Sequence, residues 1–128
     1  MAHPDLLAHR AQFEKSITRL GDDIYTAVGY AASNVHMIEG DSSITIIDTS
    51  ESTKAAENIL AEFQKLSDKP IARIIYTHSH RDHISGASVF AQERDLPILA
   101  HHGFKSDLVA VSEEVHGSRG RTSRLMAG

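Results

Sequence analysis

The chain has 128 residues, of which 41% are hydrophobic and 23% are charged, and its net charge is −4 with neutral histidines. This length predicts one domain with room for a hydrophobic core. Because the chain has no cysteine, disulfides and thiolate ligands are excluded, and any metal must be bound by nitrogen and oxygen. The negative charge argues weakly against a general nucleic-acid binder.

The first residues lack the basic start and apolar core of a signal peptide. No apolar run in the chain is long enough to span a membrane. We therefore expect a cytoplasmic protein that binds neither membranes nor nucleic acid.

Residues 1–21 are predicted to form an N-terminal helix. Pro4 suits the first turn of such a helix, and Gly21 suits its end. Apolar residues recur between them near helical spacing. They are Leu6, Leu7, Phe13, Ile17 and Leu20.

Residues 22–111 are predicted to form the core of the domain. It begins with three short strands at residues 24–28, 35–39 and 44–47, separated by Gly29 and by a turn sequence at residues 40–42. Short strands with such brief connections predict an antiparallel meander.

A strand, helix, strand, helix pattern follows the meander. Ser50 and Ser52 offer caps for a helix with an apolar stripe, and residues 71–77 form an apolar strand. The next helix is predicted at residues 87–94, a strand at 98–100, and a last helix from Phe104, Leu108 and Val111. The largely apolar strand at residues 71–77 predicts helices on both faces of a parallel sheet, so the fold class is α/β.

Three histidines and an aspartate lie within six positions at the end of that strand: His78, His80, Asp82 and His83. Residues two apart on a strand point to the same side, so His78 and His80 can close on one ion. Asp82 and His83 converge only where the chain turns into a helix, and Ser85-Gly86 suits that turn. A cluster of solvated or internally paired histidines is the alternative, but four ligands at this spacing favour a metal site.

This run resembles the H-x-H-x-D-H signature of the metallo-β-lactamase fold superfamily, and the wider pattern is most similar to its alkylsulfatase branch. The matching features are Gly29, Asn34, Ile46-Ile47-Asp48-Thr49, the stretch from Ile75 to His83 and, more loosely, Ser112-Glu113-Glu114-Val115. The resemblance implies a four-layer αββα sandwich of two similar halves, of which this chain matches the first. The chain is then either a fragment of a longer enzyme or a truncated protein that completes itself by association as a homo-oligomer.

The resemblance also implies roles for particular residues. Two zinc ions are expected, the first held by His78 and His80 and the second by Asp82 and His83, with iron or manganese as alternatives. Asp82 is the candidate catalytic residue, orienting water or passing a proton. Asp48, which otherwise reads as a turn or capping residue, is expected beneath the metal site together with Thr77. The further ligands that the family takes from its second half have no counterpart here.

Two other regions offer weaker candidates. His101 follows a strand next to the one that bears the motif, so contact with the site or the substrate is expected there, with a surface position as the alternative. Residues 112–128 are rich in Ser, Gly and Arg, which is typical of a loop or disordered end. Arg121 and Arg124 are nevertheless candidates for binding a sulfate or phosphate group.

The function expected in the full-length form is zinc-dependent hydrolysis of a small ester, by resemblance an alkyl sulfate, through metal-activated water. Another hydrolase of the same superfamily, such as a thioesterase, lactonase or β-lactamase, is one alternative. A non-catalytic metal-binding or dimerising half-domain is the other.

Overall fold

A six-stranded mixed sheet forms the centre of the structure, which is a computed structural model that describes residues 3–109. The strands lie in the sheet in the same order as in the chain. They are β1 (Ser16–Arg19), β2 (Ile24–Val28), β3 (Val35–Glu39), β4 (Ile44–Ile47), β5 (Ile71–Ile75) and β6 (Ile98–Leu99). The first four are antiparallel neighbours, whereas β4, β5 and β6 are parallel.

The predicted meander and the α/β layer that follows it are both confirmed. Short connections of turn-forming residues join β2, β3 and β4, so these strands must run antiparallel. The parallel pairs are joined by helical crossovers, as parallel strands require. The first crossover contains α2 (Thr53–Gln64), and the second contains α3 (Arg81–Ile84) and α4 (Ala87–Ala91).

The N-terminal helix is much shorter than the sequence predicted, and its expected extension to Gly21 is wrong. Helix α1 (Pro4–Arg10) passes into a 3-10 turn at Ala11–Phe13, and β1 follows. Ile17 pairs with Ala27 in β2 and packs against the core. The spacing of Phe13, Ile17 and Leu20 fits a helix. The same spacing also occurs where a helix ends and a strand begins, so it could not distinguish the two.

Helix α2 confirms the predicted cap and apolar stripe. The Ser52 hydroxyl accepts a hydrogen bond from the Ala55 N–H at 3.2 Å, which satisfies one of the free donors at the helix start. Ala56, Ile59 and Phe63 are buried at helical spacing. These side chains join the core of the sheet.

Helix α4 ends three residues earlier than predicted. Gln92 and Glu93 adopt left-handed backbone angles, with φ of 53° and 63°, and a right-handed helix cannot continue through them. Residues 104–109 are helical, as predicted for this region, while Val111 lies outside the described residues. No helix in the described part of the chain is long and apolar enough to cross a membrane.

The core lies on one face of the sheet, between the strands and helices α2 and α4. Its fully buried side chains include Met37, Ile46 and Ile74 from the strands and Ile59, Phe63 and Phe90 from the helices. The opposite face, which we call the open face, carries Ile38, Ile47 and Ile75, which are half-buried and lie outside the core cluster. Helices α2 and α4 both pack on the core side, so neither provides the cover that was expected on the open face.

Candidate metal centre

The motif lies where the carboxyl ends of the parallel strands β4 and β5 meet. Asp48 follows β4 directly, and Thr77 and His78 follow β5 after one residue. The Asp48 N–H donates to the Ile75 carbonyl at 2.9 Å, which continues the strand pairing to the edge of the site. Clefts at the carboxyl ends of parallel strands are the usual place for a ligand site in α/β folds.

Asp48 is the buried centre of the hydrogen bonds beneath the motif. Its carboxylate accepts the Thr77 N–H at 2.9 Å on one oxygen. The other oxygen lies 2.7 Å from both the Thr77 hydroxyl and His83 Nδ1. The Asp48 side chain is 4% exposed, so its burial is compensated by these three donors. Asp48 and Thr77 therefore contact His78 and His83, while their role beneath a metal site stays a prediction.

The backbone from Asp48 to Ser50 holds the short helix α3 in place. The Thr49 N–H and hydroxyl both donate to the His83 carbonyl, at 2.7 and 3.0 Å. The Ser85 N–H donates to the Ser50 carbonyl at 3.1 Å. Asp48 and Ser50 adopt left-handed φ angles of 60° and 71°, a costly conformation for residues with a side chain. This loop thus fixes the backbone that presents Asp82 and His83.

The motif side chains approach one another in pairs. His83 Nε2 lies 3.3 Å from Asp82 Oδ2. The ring centroid of His78 is 4.0 Å from that of His83 and 4.6 Å from that of His80. Across residues 3–109, however, no three side chains of the metal-binding types are arranged to hold one ion. The geometry thus brings four candidate ligands together in neighbouring pairs.

The donors present fit a zinc ion in their chemistry. His83 Nδ1 faces the Asp48 carboxylate, so a neutral imidazole carries its proton on Nδ1 and a lone pair on Nε2. That lone pair faces Asp82 Oδ2, and two electron-rich atoms 3.3 Å apart are favourable neighbours only with a cation or proton between them. Imidazole and carboxylate are ligands that zinc accepts.

The remaining predicted site residues are His101, Arg121 and Arg124. His101 is exposed, its Nδ1 accepts the Gly103 N–H at 3.1 Å, and its ring lies 3.9 Å from that of His102. None of the described ring contacts or hydrogen bonds in residues 3–109 joins it to the motif, so its role there stays a prediction. Arg121 and Arg124 lie outside the described residues.

Tyr76 directly precedes Thr77 and packs against the hydrophobic core. Its ring stacks on Phe104 with centroids 5.4 Å apart, which ties the chain after β6 to the end of β5. Burial raises the pKa of the Tyr76 hydroxyl above its usual value of 10, the neighbouring Thr49 side chain lowers it in part, and the negative charge of Asp48 raises it further. Tyr76 is therefore a neutral hydrogen-bonding group at physiological pH.

Ser33 and Gly86 support the candidate site; the sequence indicated Gly86 only as part of a turn and did not indicate Ser33. The buried Ser33 hydroxyl donates a short hydrogen bond to the Asp82 carbonyl. A Cβ at Gly86 would lie 2.6 Å from Ala56 Cβ and closer still to the Thr49 carbonyl oxygen. A glycine directly after a cluster of ligands was a usable signal for close backbone approach, whereas Ser33 had none, because its partner is 49 residues away.

Comparison with known proteins matches the chain to a superfamily. The model of the metallo-beta-lactamase superfamily matches residues 28–119. An alkyl/aryl-sulfatase of Saccharomyces cerevisiae is 33% identical over 116 residues, which cover 86% of this chain and 18% of the yeast protein. The chain thus spans less than a fifth of that relative.

Two solved structures share the fold. The stereoselective inverting sec-alkylsulfatase Pisa1 from Pseudomonas sp. superposes with a TM-score of 0.67 at 27% identity, over 75% of this chain and 16% of that one. A metallo-beta-lactamase from Hirschia baltica gives a TM-score of 0.63 at 20% identity, over 77% of this chain and 48% of that one. At such identity the second likeness shows the fold alone.

Proposed function

The chain belongs to the metallo-beta-lactamase superfamily, and we propose that it forms the part of a zinc-dependent hydrolase of alkyl sulfate esters that carries the first metal ligands. The observation that carries the proposal is the convergence of His78, His80, Asp82 and His83 above the buried Asp48 carboxylate. The similarity to alkylsulfatases over most of the chain supports the substrate class.

Each motif residue has a defined task in this proposal. His78 and His80 would hold one zinc ion, and Asp82 and His83 the other. Zinc bound there would supply Lewis acidity that activates water for attack near neutral pH. Asp82 is 41% exposed on its side chain, so its free carboxylate oxygen is open to accept a proton from that water or to orient it. Iron and manganese are the alternative metals.

The chain alone is proposed to bind metal weakly and to turn over little substrate. Four ligands shared by two ions give each ion two, whereas stable zinc sites have three or four. The remaining ligands would come from a further protein segment or from a second copy of the chain. A non-catalytic metal-binding half-domain is the second candidate function, and the count of only two motif ligands for each ion favours it.

A chimera tests the hydrolase function. The segment of the Pseudomonas sec-alkylsulfatase that matches this chain is replaced by residues 28–109, and turnover of a medium-chain alkyl sulfate is measured with zinc supplied. We expect turnover that is lost on Asp82→Ala or His83→Ala. A chimera that is folded and zinc-loaded but has no turnover contradicts the proposed activity.

The isolated chain is assayed in parallel. We expect no turnover above that of its own Asp82→Ala variant. A site that lacks some of its positioned groups loses far more rate than the missing fraction of groups suggests. Robust turnover by the isolated chain that either substitution abolishes would show that this segment is catalytically sufficient.

A further inference from the structure

The hydroxyl of Thr77 lies between two groups that dictate the position of its proton. Thr77 Oγ1 is 2.7 Å from Asp48 Oδ2 and 2.9 Å from His78 Nδ1. An ionised carboxylate accepts hydrogen bonds but has none to donate. The single Thr77 hydroxyl proton is therefore directed to Asp48, which leaves the hydroxyl oxygen to accept a hydrogen bond from His78.

We propose that Thr77 is a positioning residue that relays the charge of Asp48 to His78 and fixes that imidazole as the Nδ1–H tautomer. In this tautomer the lone pair lies on Nε2, the nitrogen that remains available for a metal ion. Asp48 fixes His83 in the same tautomer directly, across 2.7 Å. One buried carboxylate oxygen thus prepares two histidines, the first through a hydroxyl and the second without an intermediary.

The relay starts at a buried carboxylate, whereas Thr77 and His78 at its outer end are exposed. Asp48 is 4% exposed on its side chain, so water competes little for its oxygens, and hydrogen bonds to a charged group in such surroundings are stronger than neutral ones. The Thr77 N–H is bound to Asp48 Oδ1 at 2.9 Å, which holds the residue in register independently of its hydroxyl. Removal of the hydroxyl alone therefore leaves the backbone attachment in place.

The inference rests on the proposed metal function for its purpose, but it is tested in metal-free protein. Long-range proton–nitrogen NMR correlations on uniformly nitrogen-15 protein distinguish the protonated from the unprotonated ring nitrogen of each neutral histidine. His78 and His83 are assigned from His78→Gln and His83→Gln variants. Solvated histidine favours the Nε2–H tautomer, so a dominant Nδ1–H form at both residues is the expected and distinctive result.

Three variants separate the relay from a general packing effect. Thr77→Val keeps the side-chain shape and the backbone hydrogen bond, and we expect it to release His78 toward the Nε2–H form while His83 stays unchanged. Thr77→Ser keeps the hydroxyl and is expected to preserve the wild-type spectrum. Asp48→Asn supplies an amide in place of the carboxylate and is expected to change both histidines.

Zinc titration of the same proteins gives the second readout. Loss of an outer hydrogen bond to a metal-binding histidine typically weakens metal affinity by about 10- to 100-fold, and we expect Thr77→Val to fall in this range relative to Thr77→Ser. A His78 that remains Nδ1–H in Thr77→Val overturns the relay, whatever zinc does. Expected tautomers in a protein that binds no zinc would uphold the relay and overturn the proposed metal function instead.

Discussion

Gly86 is the single position at which a small change is expected to damage the site most. A Cβ there would press on the Thr49 carbonyl oxygen and lie 2.6 Å from Ala56 Cβ, and Thr49 holds the His83 backbone. Neither neighbour is a flexible side-chain end, so α4 and the 48–50 loop must separate.

We therefore predict that Gly86→Ala lowers the free energy of unfolding by about 1–3 kcal/mol, as overpacking of a tight core does. Urea unfolding followed by circular dichroism measures it. Gly21→Ala is the matched control, because nothing lies within 4 Å of the Cβ it would add. Equal effects at both glycines would contradict the close approach described for Gly86.

At the level of single residues, the sequence indicated which side chains could bind a metal but only some of the residues that hold those side chains in place. His78, His80, Asp82 and His83 lie close together in the chain, so their grouping was visible from spacing. The Thr77–Asp48 and His83–Asp48 contacts join residues 29 and 35 positions apart, and Asp48 was expected there only through the family resemblance. Ser33 was not expected at all, because a serine in a loop carries no sign of a distant partner.

Individual elements are joined by polar contacts as well as by the core. The Glu39 carboxylate at the end of β3 lies 2.9 Å from both the Lys69 ammonium and the Ser67 hydroxyl, in the segment between α2 and β5. The hydrogen bond from Lys69 holds the pKa of Glu39 below its usual value of 4.5, and the bond from Ser67 adds to this.

A carboxylate with a lowered pKa stabilises the folded state above its unfolded pKa, and this stabilisation is lost as the pH falls through the folded value. We therefore predict that Glu39→Gln is less stable than the wild type near pH 6 and that the difference shrinks as the pH falls below about 4.5. Urea unfolding over this pH range measures it. A difference that is constant with pH would show that the ion pair contributes nothing through the charge of Glu39.

Strands could be predicted where their sequence signals, alternating apolar residues and flanking turn residues, lie within a few positions of one another. Strands β2, β3 and β4 were predicted with their observed bounds, because glycine and polar turns separate them clearly. The N-terminal region failed because the pairing of Ile17 with Ala27, ten residues away, decided between helix and strand. The end of α4 depended on left-handed angles at Gln92 and Glu93, and neither residue type signals them.

Within residues 3–109, helices α2 and α4 cover one face of the sheet and leave the open face to other elements. Ile47 and Ile75 are direct partners across β4 and β5 on the open face, and Ile38 lies diagonally from Ile47 on β3; all three side chains are half-buried. Apolar patches of this kind favour association. We propose that either a further protein segment or a second copy of this chain covers this face.

We predict that the isolated chain associates, and that the double variant Ile38→Thr with Ile47→Thr weakens association by about tenfold or more, since apolar burial is lost on both partners. Light scattering over a range of concentrations measures it. Leu6→Ser is the control, because Leu6 is 64% exposed on α1 and far from the strands in sequence. A monomer at all concentrations, or equal loss in the control, would contradict association through the open face.

The central claim is that this chain carries the first ligands of a zinc centre whose ligand set it does not complete. The most direct test is the zinc content of the purified chain by elemental analysis after zinc loading and exhaustive dialysis, with His80→Ala in parallel. We predict far fewer than two zinc ions per chain, and a further loss in His80→Ala. Nearly two ions retained per chain would contradict the incomplete set, and retention unaffected by His80→Ala would contradict the site itself.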